Sequence, residues 1–546
     1  MQVHLTGKIT TNDAKLDTAI TVMSLLNLGS STFLITGSAG AEADPKDPTA
    51  PRNGGLALFD LSDSGAATLI DSFHFQAGTT LRQTADFAAF NLPGAGLSVV
   101  LGTGHRQPQA FTVTPEGSLA PASLPSSLES LDVTGAIVGA QETGQVAAQT
   151  LNGKVSLFDV QSPNTPLTTG LPVTTSAFSF GPITSAGQSL LGISATTHTI
   201  TFWRPTEPNI TLGIEDGLGI ANPTDIETIN AYAQTFALVA SSGSGTLSVL
   251  SVDAAGALQT LDHIIDTRST RFSNVQDIAV AQVQDRVFVF AAGGDNGISM
   301  FNLLPDGRLV HLDSIADGLL GGLSGIHSLS AHATTNSIEV YAATEDTLGL
   351  THLSVPLDSM GNLVLGTFEQ IGTSQNDILV AGPDGARLTG GEGQDIFVLQ
   401  HDGGNVHVTD FNPNEDKLDL SDFVMLRDPG QLSIRETDTG ARITYREEVI
   451  TFDSFNGKTL DPDTLFANAF DWPDRIAYFP VGSVSGEADS DNDPPANARL
   501  SWLEITLVPS QPNPAFDGAD LSFQSEDGTI REIQLDQSGR FDLSGL

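Results

Sequence analysis

The chain has 546 residues, 65 Asp and Glu against 23 Lys and Arg, a formal net charge of −42 and no cysteine. Thiol chemistry and disulfides are excluded, and so acidic a surface repels nucleic acid and anionic membranes while attracting divalent cations. No apolar run approaches the length of a membrane span, and the stretch MQVHLTGKITTNDAKLDTAITVMSLLNLG lacks the basic start, apolar core and small-residue cleavage site of a secretory signal.

At this length more than one domain is expected. The first two-thirds repeat a short apolar strand followed by a turn: LALFDLSDSG, PQAFTVTPEG, VSLFDVQSPN, ITFWRPTEPN, LSVLSVDAAG, ISMFNLLPDG and LTHLSVPLDSMG. Anchor residues Phe59, Phe111, Phe158, Trp203, Leu250, Phe301 and Leu353 are 52, 47, 45, 47, 51 and 52 residues apart. Six residues after each of the first six anchors lies Gly65, Gly117, Asn164, Asn209, Gly256 or Gly307, types that tolerate the positive φ of a hairpin turn. The seventh unit reaches its glycine, Gly361, two residues late. In the sixth unit four strands are legible, over 275–283, 285–294, 296–303 and 308–315, with alternating apolar and polar residues. Four-stranded units at this period predict a β-propeller, and seven units would close its ring.

The stretch ISMFNLLPDGRL (298–309) resembles the I-S-V-F-x-V…P-D-G-x-L strand of YVTN and phosphogluconolactonase-like propellers. The resemblance spans roughly 15–371 and describes blade architecture, not chemistry. Four units begin their innermost strand with Asp: Asp86, Asp132, Asp225 and Asp277. A carboxylate ring at one mouth of the channel could hold a metal or a polar substrate. A feature repeated across blades is better explained by the repeat, each Asp accepting backbone hydrogen bonds at the start of its strand. His105, His327 and His332 show no paired metal-ligand spacing. The longest insertion, 39–55, is a Pro-bearing loop.

Residues 372–398 hold three nine-residue units in register: GTSQNDILV, AGPDGARLT and GGEGQDIFV. The third fits G-G-x-G-x-D-x-U-x in full through Gly390, Gly391, Gly393, Asp395 and Phe397. The glycines permit a tight turn that exposes backbone carbonyls, the Asp supplies a hard anionic oxygen, and the apolar residue fills a thin core. The first unit keeps Gly372, Asn376, Asp377 and Leu379; the second puts Ala386 where the Asp belongs. If two units make one coil, Asp377 and Asp395 stack on one side, 18 residues apart, and one cation site forms there. The segment NVHVTDFNPNEDKLDLS (405–421) follows, with Asp410-Phe411, an acidic turn from Asn412 to Asp416, and Leu418-Asp419-Leu420-Ser421.

These units and this closing segment resemble RTX proteins, the hemolysin-type calcium-binding family exported by bacterial type I secretion. The resemblance covers about 372–425 and departs from longer members in having three repeats, one of them degenerate. It implies Ca2+ as the bound ion and folding outside the cell. The residues it assigns to the metal are Gly372, Asn376, Asp377, Gly390, Gly391, Gly393, Asp395, Asp410, Asp416 and Asp419. Strands are expected at QLSIRET, ARITYRE and VITFDSF, and beyond Asp471-Trp472 at 499–509, 519–526, 530–536 and 539–546. Asp489, Asp491 and Asp493 alternate in an acidic loop without the glycine and glutamate of an EF-hand.

The expected architecture is therefore all-β. A seven-bladed β-propeller would occupy 1–371, a short RTX parallel β-roll and its cap 372–470, and a small sandwich-like β domain 471–546. The expected function is that of a secreted calcium-binding protein, bacterial and extracellular, whose propeller is a binding or adhesion platform. Its partners would be calcium, an extracellular ligand or protein and the type I secretion machinery, with no nucleic acid and no membrane span. The alternative is an extracellular propeller hydrolase, lactonase- or phosphoesterase-like, with a metal at the axial mouth.

Overall fold

The computed structural model describes residues 1–40, 54–61, 67–75, 87–92, 96–101, 109–123, 133–140, 144–150, 153–159, 167–184, 187–253, 257–318, 321–344, 347–366, 368–382, 385–401, 404–423, 425–426, 428–463, 465, 474–475, 520–524 and 530–534. The chain divides into two compact units, Met1–Val481 and Gly482–Leu546. In the second, the described residues form one antiparallel hairpin, Asp520–Gln524 with Ile530–Gln534, inside two of the expected strands. Among the described residues no helix is long and apolar enough to cross a membrane.

The larger unit begins with antiparallel four-stranded sheets in sequence order, each strand paired with the next. Their first strands are Ile20–Leu28, Phe87–Leu92, Val133–Ala140, Ala177–Thr184, Pro223–Ala231, Val275–Val283 and Ile326–Ala333. Each first strand packs beside the first strand of the following sheet, and Ile326–Ala333 returns to Ile20–Leu28. This is a propeller. The last sheet has only three strands of its own, and His4–Ile9 pairs with Leu350–Pro356 to complete it. The ring is thus closed by the N-terminal strand, which the sequence reading left without a role. Residues 360–365, expected within the propeller of 1–371, belong to the next structure.

Sheet packing explains the composition of the strands. Apolar clusters fill every space between neighbouring sheets, for example Phe236, Leu238, Val249, Phe272, Val289 and Phe301 between the fifth and sixth. The second strand of a blade is covered on both faces, so Arg286–Gly293 (RVFVFAAG) is buried at every position. It reads as a continuous apolar run where alternation was expected. Gly117 and Gly307 adopt φ of 81° and 92°, as the turn reading requires. Asn209 does not: it lies within the strand Glu207–Leu212, because the hairpin there is tighter and Arg204 pairs with Glu207.

From Met360 the pairing becomes parallel, before the expected start at 372. Met360–Leu365, Asn376–Val380, Ile396–Val398 and Lys417–Asp419 form one sheet. Glu369–Ile371, Ala386–Thr389, Asn405–Phe411 and Glu448–Ser454 form the parallel part of a second. Successive strands alternate between the two sheets, so the chain winds as a flattened coil. Leu379, Leu388, Phe397, Val408, Phe411 and Leu418 fill the interior. Gly440–Tyr445 and Ser433–Glu436 extend the second sheet antiparallel, matching two of the strands expected after 426. Ile378, Val380, Ile396 and Val398 share one cluster with Phe288, Met300, Ile338 and Val340, so coil and propeller have a common core.

Candidate metal centre

The coil stacks its first and third nonapeptides directly. Ile378 pairs with Ile396, and Asp377 and Asp395 occupy equivalent places at the turn. Each carboxylate caps the turn of its neighbour. Asp377 accepts from the amides of Asn362 (2.5 Å) and Thr373 (2.6 Å). The Asp377 amide donates to Asp395 Oδ1 at 2.9 Å, and the Asp395 amide donates to Asp416 Oδ1 at 3.1 Å. Asp416 Oδ2 accepts from the Asn412 amide at 2.8 Å. Three aspartates thus form a ladder along one edge of the coil, each buried, with Asp395 only 1% exposed.

The glycines of the repeat are explained by this ladder. A Cβ on Gly372 would stand 2.6 Å from Asp377 Oδ2, and one on Gly390 would collide with Asp395 Oδ2. Gly391 and Gly393 have φ of 105° and 118°, a region L side chains rarely adopt. A Cβ on Gly393 would lie 2.5 Å from the Gln375 carbonyl oxygen, and one on Gly391 would strike that of Thr373. Asn376 Oδ1 accepts from the Gln394 amide at 2.8 Å, and Asp410 accepts from the Gly390 and Gly391 amides, both at 2.9 Å.

One oxygen is left over. Asp395 Oδ2 is buried and has no hydrogen-bond partner, an expensive condition for a carboxylate. Burial pushes the Asp395 carboxyl up to about 7, with the nearby charges of Asp377, Asp410 and Glu415 adding to the rise. The Asp416 carboxyl is pushed up to about 8, again chiefly by burial. Among the described residues no three acidic or His side chains converge on one point. A hard cation at Asp395 Oδ2 would therefore draw on carboxylates together with backbone carbonyls of the glycine turns. On the opposite edge Ala386 is buried, with no carboxylate at that position.

Asp419 stands apart from this group. Its Oδ1 accepts from the Ser421 amide and hydroxyl at 2.8 and 2.5 Å. Ser421 Oγ in turn accepts from Arg475 Nη2 at 3.1 Å. Arg475 also ion-pairs with Asp262 and donates to the Leu309 carbonyl at 3.1 Å. Opposing its desolvation, the charges of Asp262 and Asp419 hold the guanidinium above its ordinary range. The strand Asp474–Arg475 adds to the outer edge of the fifth propeller sheet, and its arginine joins two sheets to the coil.

Of the inner aspartates, Asp86 and Asp132 lie outside the described residues, as does His105. Asp225 Oδ2 accepts from the Ile278 amide of the next sheet at 3.0 Å, and Asp277 Oδ2 from the Leu329 amide of the sheet after at 2.6 Å. Desolvation raises both carboxyls, and they share a hydrogen bond with each other. His327 Nε2 donates to the Ile20 carbonyl at 2.5 Å, another link between sheets. An outer set of pins was missed. Asp71, Asp262 and Asp313 accept from the amides of Leu119, Leu309 and Val3 in the neighbouring sheet, each at 2.8 Å. Each sits at a β-bulge opposite the anchor strand. The signal was present: each Asp falls 12 residues after Phe59, Leu250 or Phe301.

No family model matches the chain, and no curated protein matches it. Solved structures do. Virginiamycin B lyase from Staphylococcus aureus aligns with a TM-score of 0.42 and 11% identity, over 65% of this chain and 99% of that one. The WD40 propeller domain of Doa1 aligns at 0.40 and 12%, over 65% and 96%. Raptor from Chaetomium thermophilum aligns at 0.44 and 12%, over 64% of this chain and 28% of that one. The likeness is one of fold.

Proposed function

We propose that this chain is a calcium-binding protein of the RTX kind. Its antiparallel sheets make a seven-bladed propeller that offers an extracellular binding or adhesion surface. The observation that carries the calcium reading is Asp395 Oδ2, a buried carboxylate oxygen without a partner. It lies at a turn whose glycines are required by φ and by close backbone approach. Calcium suits this site because it accepts carboxylate and carbonyl oxygens in flexible geometry. Asp377 and Asp395 would supply the charged oxygens, the turns at Gly372 and Gly390–Gly393 the carbonyls, and Asp410 and Asp416 further charge. The ion would neutralise a line of carboxylates that burial otherwise penalises.

Export by type I secretion fits a chain without cysteine whose roll completes itself only where calcium is plentiful. An ion that binds the folded state alone stabilises that state by mass action. The propeller's inner aspartates support the binding reading over the hydrolase. Asp225 and Asp277 already accept amides of neighbouring sheets. Equilibrium calcium binding to chelator-stripped full-length protein, compared with Asp395→Ala, tests the proposal. Calcium binding that is unchanged in the variant would remove its basis.

A further inference from the structure

The aspartate ladder is attached at both ends to one propeller sheet, the sixth. At its upper end is Arg286, buried at the start of Arg286–Gly293. Its Nε donates to Asn302 Oδ1 at 2.8 Å, its Nη1 to the Gly361 carbonyl at 3.3 Å, and its guanidinium lies 5.1 Å from the centre of the Phe288 ring. The next residue, Asn362, donates its amide to Asp377. From there the ladder runs through Asp395 to Asp416. Lys417 follows, and its Nζ donates to the Leu312 carbonyl of the same sixth sheet at 3.2 Å. Between these ends lies a cavity of about 90 Å³ lined by Arg286, Asp313, Asp377, Gln394, Glu415 and Lys417. On its wall, Asp313 accepts from Val3, just before the strand His4–Ile9 that closes the ring.

We propose that cation binding in the coil controls ring closure in the propeller. The Arg286–Gly361 and Lys417–Leu312 attachments transmit it to the sixth sheet and the N-terminal strand. This rests on the calcium reading above. The ladder's geometry fixes where Asn362 and Lys417 stand, and Lys417 lines the cavity with Asp313 while holding the adjacent Leu312 carbonyl. An ion that requires the assembled ladder stabilises whatever the ladder's assembly requires. The common apolar core makes the transmission mechanical, since Ile378 and Ile396 pack in the same cluster as Phe288 and Met300.

The test is amide hydrogen exchange on full-length protein, with calcium or with chelator, alongside calorimetric calcium titration of the same samples. The expected result is that calcium slows exchange in His4–Ile9 and in the sixth sheet by about tenfold or more, within the usual range of coupling between sites. In Lys417→Met calcium still binds, but the added protection of His4–Ile9 is largely lost. Calcium binding that protects only the coil, or full propeller protection in Lys417→Met, overturns the coupling and leaves the calcium reading standing. Absence of calcium binding overturns both.

Discussion

Replacing Asp277 separates a structural carboxylate from a functional one. Its two oxygens accept from Leu329 and Ile278 at 2.6 and 2.9 Å. The Ile278 amide has a second acceptor in Asp225, so the one backbone amide that Asp277→Ala orphans is that of Leu329, and Asp225 loses its side-chain partner. The cost expected for one unsatisfied, partly buried donor is about 1–3 kcal/mol. Asp277→Asn keeps an oxygen for Leu329 and can donate to Asp225, while removing a charge that desolvation and Asp225 both oppose. That variant should match or exceed the wild type at pH 8. The pH dependence has a definite sign. Both carboxyls are raised, so the folded protein holds protons that the unfolded chain has released. Stability from this pair is fully present in acid, below the ordinary carboxylate range of about 4, and is lost as pH rises through the raised values. Thermal melts at pH 5 and pH 8 should show a smaller loss for Asp277→Asn than for wild type. An alanine variant that melts like wild type, or an asparagine variant with the wild-type pH slope, would refute this reasoning.

The outer pins and the turns give further expectations. Asp313→Ala frees the Val3 amide and should destabilise the ring by about 1–3 kcal/mol, with the earliest hydrogen exchange in His4–Ile9. Asp262→Ala should cost more, about 3–5 kcal/mol, because it also strands the buried Arg475; adding Arg475→Met should recover part of the loss in the same melts. Gly391→Ala combines positive φ with a collision at Thr373, so proteolysis of the 372–425 region should quicken.

The propeller was legible because its repeat is written in one strand per blade. The four strands expected for the sixth unit coincide with the observed ones to within a residue or two, Val275–Val283 without any difference. What escaped depended on contacts distant in sequence. His4–Ile9 joins Leu350–Pro356 across almost the whole propeller, and no local pattern announces that pairing. The unit at Leu353 looked like a hairpin because a glycine followed it. With its outer edge already taken by the N-terminus, the chain instead enters the coil at Met360. In the coil, the 18-residue separation of Asp377 and Asp395 gave the stacking directly. The ladder through Asp416 was hidden by a longer coil, which places Lys417 opposite Ile396, 21 residues on. Arg475 gave no sign at all, since two residues of strand make no periodicity.

Calcium titration of chelator-stripped full-length protein, with melting followed at each step, tests the central claim most directly. Saturable binding is predicted, with a melting temperature that climbs with free calcium, and with both effects lost in Asp395→Ala. Magnesium should substitute poorly, because the proposed site would draw on carboxylates and turn carbonyls in flexible geometry, where magnesium demands a near-ideal octahedron. No binding heat, together with identical melting in calcium and in chelator, would contradict the account.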